Sequence, residues 1–276
     1  MVTVIFTCFN RKEKTLTCVK SISEGNPRLK FRYIVLDDNS TDGTVEALEE
    51  LKKHGYEIDI LKGDGNSYWA GGMRKAIAHA KEKKDSEYYL LVNDDVYFYP
   101  EAIERMIEEQ KSYVNDMEKS VALVGPMCDE GGEFSYGGIR YIKGIRYENV
   151  TPYSVNKKCD SFNMNCLLLE QEVFMDAPNF DVHYVHSLAD FDYGLAINKM
   201  GIPIYVTNAY VGVCPDNDPK GGWSDKTLSR CERLRKKESI KGAPFKPWFY
   251  FLKKNFGVGR AIVHSVTPYV RIILGK

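Results

Sequence analysis

Two acidic clusters hold the residues best suited to chemistry: Asp37-Asp38-Asn39-Ser40-Thr41-Asp42-Gly43 and Asn93-Asp94-Asp95. Each ends a run of β-branched, aliphatic and aromatic residues, 31–36 in the first case and 88–93 in the second. A turn and a helix cap would account for one acidic acceptor in the first cluster, with Asp42 as the cap. A second adjacent acid exceeds that need, because capping takes one side chain and repulsion penalises its neighbour. The surplus carboxylate implies a cation or a hydroxyl donor as partner. A hard divalent cation prefers carboxylate oxygen and bridges nucleotide phosphates with only one or two such ligands. A Mg²⁺ or Mn²⁺ diphosphate site is therefore the sharper reading of Asn93-Asp94-Asp95, and a loop before Pro100 is the plainer one.

The elements that must position these residues follow an α/β rhythm, short apolar runs alternating with longer amphipathic segments. Strands are expected at residues 3–9, 31–36, 57–62, 88–93 and 121–124, and helices at 14–23, 43–53, 70–83 and 100–117, with Pro100 in a first helical turn. That order predicts a mostly parallel sheet, in which ligands bind beyond the carboxyl ends of the strands. After Met127 the glycine pairs at 131–132 and 137–138 predict loops or a small antiparallel insertion. Order returns as a strand at 162–169, helices at 171–175 and 190–200, and a strand at 202–206.

Five pieces recur in order over residues 1–210: Thr7-Cys8-Phe9-Asn10-Arg11, Ile34-Val35-Leu36-Asp37-Asp38-Asn39-Ser40-Thr41-Asp42-Gly43-Thr44, Gly71-Gly72-Met73-Arg74, Leu91-Val92-Asn93-Asp94-Asp95-Val96 and Ala189-Asp190-Phe191-Asp192. In type, order and spacing they resemble the inverting family 2 glycosyltransferases. Tyr68-Trp69 before the glycine pair is similar to transferases that build bacterial surface polysaccharides, including rhamnosyltransferase-like members. The resemblance implies a GT-A fold, a Rossmann-like mostly parallel sheet flanked by helices, over residues 1–219. Its nucleotide-binding half would span about 1–125 and its acceptor half about 126–219, with a C-terminal helical extension at 220–276. It also implies sugar transfer from a nucleotide-diphosphate donor, UDP- or dTDP-sugar favoured, to a glycan or a polyprenyl-diphosphate-linked acceptor.

Residue roles follow from the same resemblance. Asp37 or Asp38 would hold nucleobase and ribose, with Thr7, Phe9, Asn10 and Arg11 lining the pocket. Gly71 and Arg74 would meet the nucleotide or diphosphate, a guanidinium fork suiting phosphate; an exposed helix arginine is the alternative. A D-x-D-like motif falls on Asn93-Asp94-Asp95, with Asp95 the ligand of Mg²⁺ or Mn²⁺; Asn93 departs from the acidic pattern. The general base falls on Asp190, expected to have a depressed pKa, with Asp192 in support and Ala189 where the family has Glu. Capping of the helix is the plainer role for Asp190. No His follows residue 206 before 219, so Cys214, Asp216 or water would take the family's late His position, although thiolate suits these metals poorly. His186 is a candidate for touching the acceptor and Trp69 for stacking on sugar or base, each with core packing as its alternative. Gly221-Gly222-Trp223 is similar in position to a mobile lid. A nucleotidyltransferase would need a Gly-rich loop with an activating Lys near strand one, which is absent. A non-catalytic sugar-binding module is the third reading, suggested by Asn93 and Ala189.

Composition sets the outer limits. With 276 residues, 43% apolar, the chain can bury a substantial core, which excludes disorder and disulfide miniproteins. Thirty-eight basic residues against 38 acidic give no sign of a nucleic-acid partner. The distribution is uneven: residues 220–276 carry 14 basic and 3 acidic residues, a net of +11. Basic residues among Trp248, Phe249, Tyr250, Phe251 and Ile272-Ile273-Leu274 suit an interfacial segment from about residue 226 onward, and a solvated helix packed on the catalytic domain is the alternative. Seven widely spaced cysteines without C-x-x-C pairs suggest reduced thiols and a cytoplasmic setting, and the tail suggests peripheral attachment to the inner face of the membrane. No signal peptide or spanning segment is readable.

Overall fold

The computed structural model describes residues 1–215 and 221–275. An eight-stranded sheet is built from β1 (Val2–Cys8), β2 (Phe31–Asp37), β3 (Glu57–Lys62), β4 (Tyr88–Val92), β5 (Ala122–Val124), β6 (Lys158–Cys159), β7 (Cys166–Glu170) and β8 (Ile204–Val206). Their order across the sheet is β6-β8-β5-β7-β4-β1-β2-β3. Four of the seven neighbouring pairs are parallel: β3 with β2, β2 with β1, β1 with β4, and β5 with β8. β7 enters antiparallel between β4 and β5. The helices are α1 (Lys12–Gly25), α2 (Thr44–Lys53), α3 (Tyr68–Lys83), α4 (Ala102–Met117), α5 (Gln171–Asp176), α6 (Ala189–Lys199), α7 (Arg230–Lys237), α8 (Phe245–Phe256) and α9 (Val258–Ile273).

Every residue of β1 is buried, as a central strand covered on both faces requires. Period-2 alternation divides it: Val4 and Phe6 join a core with Val19 and Ile22 of α1 and Leu48 of α2. Ile5 faces the other way, into a core with Met73, Ala76 and Ile77 of α3 and Phe251, Leu252 and Ala261 of the tail. The C-terminal extension is thus packed into one of the two main cores.

Two sequence expectations are corrected. Pro100 lies outside α4, because Glu101 takes a left-handed conformation (φ 57°) as its cap and the helix starts at Ala102. The expected strand at 162–169 is two strands: Ser161–Phe162 pairs in a three-stranded sheet with Gly138–Lys143, and β7 begins at Cys166 after a turn through Asn163 and Asn165. Pro247 is inside the first turn of α8, where a missing N–H leaves no bond unmade. The insertion after Met127 is antiparallel, with Gly138–Lys143 and Arg146–Val150 forming a hairpin.

The tail is locally well specified. Ser229 and Glu232 form a reciprocal capping box at the start of α7. Pro268 within α9 cannot donate to the His264 carbonyl four residues earlier, and the Trp248 indole N–H of α8 donates to that carbonyl instead, at 3.2 Å. Gly221 to Trp223 is closed as a turn by Asp225, which accepts from the Gly221 N–H at 2.7 Å, and held to α7 by Arg233, which donates to the Trp223 carbonyl at 2.9 Å.

Candidate active site

The carboxyl ends of β1, β2 and β4 lie side by side because those strands are neighbours in the sheet. Cys8 ends β1 between the two acidic clusters, and its thiol donates to Asp37 Oδ1 at 3.6 Å. Burial, then the charges of Asp37 and Asp94, push that thiol far above its ordinary pKa. Both clusters therefore converge on one edge, as the sequence order requires.

Asp37 and Asp38 do different things there. Asp38 accepts from three backbone N–H groups, those of Gly65 (3.0 Å) and Ser67 (3.2 Å) on Oδ1 and Tyr68 (3.0 Å) on Oδ2. It clamps the turn into α3 and leaves little acceptor capacity for a ligand. Gly63 belongs to this clamp, since a Cβ there would lie 2.4 Å from Asp38 Oδ1 and 2.8 Å from its Cα. Among the described residues, Asp37 accepts only from the Ser40 N–H at 2.9 Å and the weak Cys8 donor. Asn10 accepts from the Thr41 N–H at 2.7 Å and joins the loops after β1 and β2, while Phe9 is 50% exposed beside it.

The second cluster centres on one cation. Arg11 Nη1 lies 2.8 Å from Asp95 Oδ2 and 3.3 Å from Asp94 Oδ1. Burial, with the charge of Asp95 adding, raises the Asp94 pKa to about 6 despite the pull of Arg11. Thr15, in the first turn of α1, also donates to Asp94. Asn93 is held by the Trp69 indole N–H at 2.8 Å. Trp69 packs on Phe180, ring centroids 5.4 Å apart, so its fixed role is to anchor Asn93. Thr7 donates to the Leu36 carbonyl and packs on Gly72, where a Cβ would come within 2.3 Å of Thr7 Oγ1. A Cβ on Gly71, the glycine singled out from the sequence, would make only ordinary contacts, with Arg74 and Ser67.

Asp190 is reached through the turn at residues 163–165. It stands in the first turn of α6, entered through Leu188 in the left-handed region (φ 74°). The Phe191 N–H donates to Asp190 Oδ1 at 2.9 Å, and the Met164 backbone bonds the same carboxylate. Next to Met164, the Asn165 carbonyl accepts from the Asn93 N–H and its side chain donates to Cys214 Sγ at 3.2 Å. Cys214 in turn points its thiol at Asp95 Oδ1, 3.9 Å away. One turn thus ties Asp190 to Asn93 and, through Cys214, to Asp95. Asp190 does not cap α6, and burial raises its pKa to about 6, which corrects the expectation of a depressed value.

Cys214 does come to the late position beside Asp95, but burial and the charge of Asp95 push its pKa to about 12, so it stands there as a thiol. Asp216 lies outside the described residues. Arg74 donates to the carbonyls of Asp181 and Tyr184, at 3.3 and 3.4 Å, and not to the acidic clusters. His186 has a buried Nδ1 without a hydrogen-bond partner among the described residues; burial, then the charges of Lys241 and Arg11, depress its pKa. Asp192 faces the tail, accepting from Lys254 Nζ at 2.7 Å and Asn255 Nδ2 at 2.8 Å. Sequence reading did not single out Cys8, Thr15, Asn165 or Lys241, because turns and second layers carry no spacing signature.

A divalent cation fits this donor set in one manner. Among the described residues no three His, Cys, Asp or Glu side chains converge to hold a metal unaided. Asp95 and Asp94 already share one positive charge, the Arg11 guanidinium, and hard carboxylate oxygens suit Mg²⁺ or Mn²⁺ when phosphates and water complete the shell.

Comparison with known proteins agrees with this edge. The family described as Glycosyl transferase family 2 matches residues 3–166, more than half of the chain. The chain belongs to glycosyl transferase family 2. It is 29% identical over 158 residues to hyaluronan synthase of Streptococcus pyogenes, which covers 56% of this chain and 35% of that protein. The chain spans about a third of that relative's length. Its fold is similar to that of a mannosyltransferase from Pyrobaculum calidifontis solved with GDP-Man and Mn²⁺, with TM-score 0.58, 14% identity, and coverage of 99% of this chain and 74% of the other. It is also similar to Staphylococcus aureus TarS 1-349 solved with UDP-GlcNAc, with TM-score 0.57, 12% identity, and coverage of 99% and 81%. These likenesses agree with a GT-A architecture, and the family makes the chain a glycosyltransferase.

Proposed function

We propose that this glycosyltransferase moves a sugar, with inversion, from a nucleoside-diphosphate donor to a hydroxyl of a glycan or polyprenyl-linked glycan in the building of a bacterial surface polymer. One observation carries the reading: a partly buried carboxyl, Asp190, and Asp95 of the acidic pair, joined by a single turn at 163–165. Residues 1–125 would supply the donor side, 126–219 the acceptor side, and 220–276 a basic extension. The donors present in the structurally similar mannosyltransferase and TarS support a nucleotide-sugar here.

In this reading Asp37, with spare acceptor capacity, takes the nucleobase or ribose, and Phe9 offers an exposed ring beside it. Asp95, with Asp94, would hold Mg²⁺ or Mn²⁺, which supplies charge neutralisation to a departing diphosphate. Arg11 already lies on that pair with a fork suited to phosphate oxygens, whereas Arg74 would have to turn from the Asp181 and Tyr184 carbonyls to reach them. The acceptor oxygen forms its bond to the anomeric carbon as the bond to the diphosphate oxygen breaks, and its proton passes to Asp190. A carboxylate with pKa about 6 is ionised at neutral pH yet more basic than an exposed one. Seven unpaired thiols support a reducing compartment.

Thermal stabilisation measured against UDP, dTDP, GDP and CMP, each with and without Mn²⁺, tests the donor side. One diphosphate should stabilise the protein in a metal-dependent manner, and the matching nucleotide-sugar should then release that diphosphate on transfer. Release of pyrophosphate, or binding without turnover across sugars and acceptors, would overturn the reading.

A further inference from the structure

Helix α9 leaves one long side uncovered. At 100° per residue, Ala261, Ser265 and Ile272 form its buried stripe, while Val258, Ile262, Val263, Val266, Val270 and Ile273 occupy an adjoining arc. These six side chains are 46–59% exposed, and Leu274 continues the arc at 60%. Single exposed apolar residues are ordinary, but a continuous apolar arc along a four-turn helix needs a partner. The remaining sector is polar and basic, with Arg260, His264, Thr267 and Arg271. The turn of the neighbouring hairpin lies against this helix, with Gly144 beside the Arg260 guanidinium and exposed Ile142 and Lys143 next to it.

We infer that the outer face of α9 docks on an anionic lipid surface, its aliphatic arc entering the headgroup and acyl boundary while Arg260 and Arg271 meet lipid phosphates. Charge selects this occupant. The segment from residue 220 onward carries +11, so stacking two copies through this face would bring like charges together, whereas an anionic bilayer attracts them. Among the described residues no helix is long and apolar enough to cross a membrane, so the contact lies along the surface. Docking is independent of the transfer chemistry; if both hold, a lipid-linked acceptor would be drawn from the same surface.

Flotation of the full-length chain with phosphatidylglycerol vesicles tests the docking alone. The protein should float at 50 mM NaCl, float much less at 500 mM, and ignore phosphatidylcholine vesicles. Ile262→Glu with Val266→Glu should lower vesicle binding by at least about tenfold, since burying each such side chain contributes roughly a tenfold factor. Both positions are exposed, so circular dichroism and Tm should be unchanged. Arg271→Gln should weaken binding by roughly fivefold. Failure of the wild-type chain to float, or equal binding by the double variant, overturns the inference. So does sedimentation showing a dimer at micromolar concentration that the double variant dissociates, which assigns the face to a second copy.

Discussion

Two pairs of carboxylates in this molecule are each closed by a single cation, and they behave in opposite ways. At the sheet edge Arg11 spans Asp94 and Asp95. On the far side of α6, Lys254 spans Asp181 and Asp192, both at 2.7–2.8 Å. Burial raises Asp94, and Arg11 only partly offsets it. Burial acts on Asp181 too, but hydrogen bonds from Lys254, from the backbone and ring of His183, and from Tyr250 overcome it and hold Asp181 well below its ordinary range. Donor supply separates the two: Asp181 accepts from the His183 backbone and ring, Tyr250 and Lys254, whereas Asp94 has one guanidinium shared with Asp95 and a long bond from Thr15. A fully satisfied pair fastens one element to another, whereas an under-satisfied one retains capacity for a ligand.

The largest expected effect sharpens this contrast through the third carboxylate. Asp190→Asn should lower kcat by ~10²–10⁴-fold, the usual contribution of a general base, with donor affinity nearly unchanged. Near-normal turnover would remove Asp190 from the reaction. Asp95→Asn should instead weaken the metal-dependent stabilisation by nucleoside diphosphate. Lys254→Ala addresses the other pair: leaving Asp192 buried without its cation should lower stability by ~2–4 kcal/mol, or roughly 4–16 °C in Tm. An unchanged Tm would show that the Lys254 pair is not a fastening.

The sheet-edge pair was legible in the sequence and the tail pair was not. Asp37, Asp38, Asp94 and Asp95 follow apolar strands, and parallel topology requires such residues to meet at one edge. Local sequence cannot show that Asp38 would be consumed by three N–H groups of the turn into α3, because that depends on the path of residues 63–68. The family resemblance put Asp192 in support of Asp190. Two residues on a helix point about 200° apart, which sends one toward the turn at 163–165 and the other toward α8. Strands β1 to β4 were placed to within a residue or so by apolar runs. The 162–169 region broke in two because its apolar residues serve two sheets through an asparagine turn that hydrophobic pattern does not mark.

The smallest effects are in the pH dependence, where the two regions should slope in opposite directions. Asp94 and Asp190 have folded pKa values raised from 3.8 to about 6, so their protonated forms favour the folded state. Their contribution is present below the ordinary carboxylate pKa and is lost as pH rises through about 6. Asp181 is depressed, so its contribution is present above about pH 4 and is lost as pH falls. Asp190→Asn should therefore stabilise the protein near neutral pH by ~1–2 kcal/mol, discounted for its partial exposure, while abolishing transfer. It should also flatten Tm between pH 4 and 6, whereas Asp181→Asn should flatten the acid limb below pH 4. In the wild type, turnover should fall as pH drops below about 6, because a protonated Asp190 cannot accept the acceptor's proton. A variant series in which Asp190→Asn destabilises at pH 7 and Asp181→Asn does not would reverse the assignment of which carboxyl is satisfied, since the strained one would then lie under the tail.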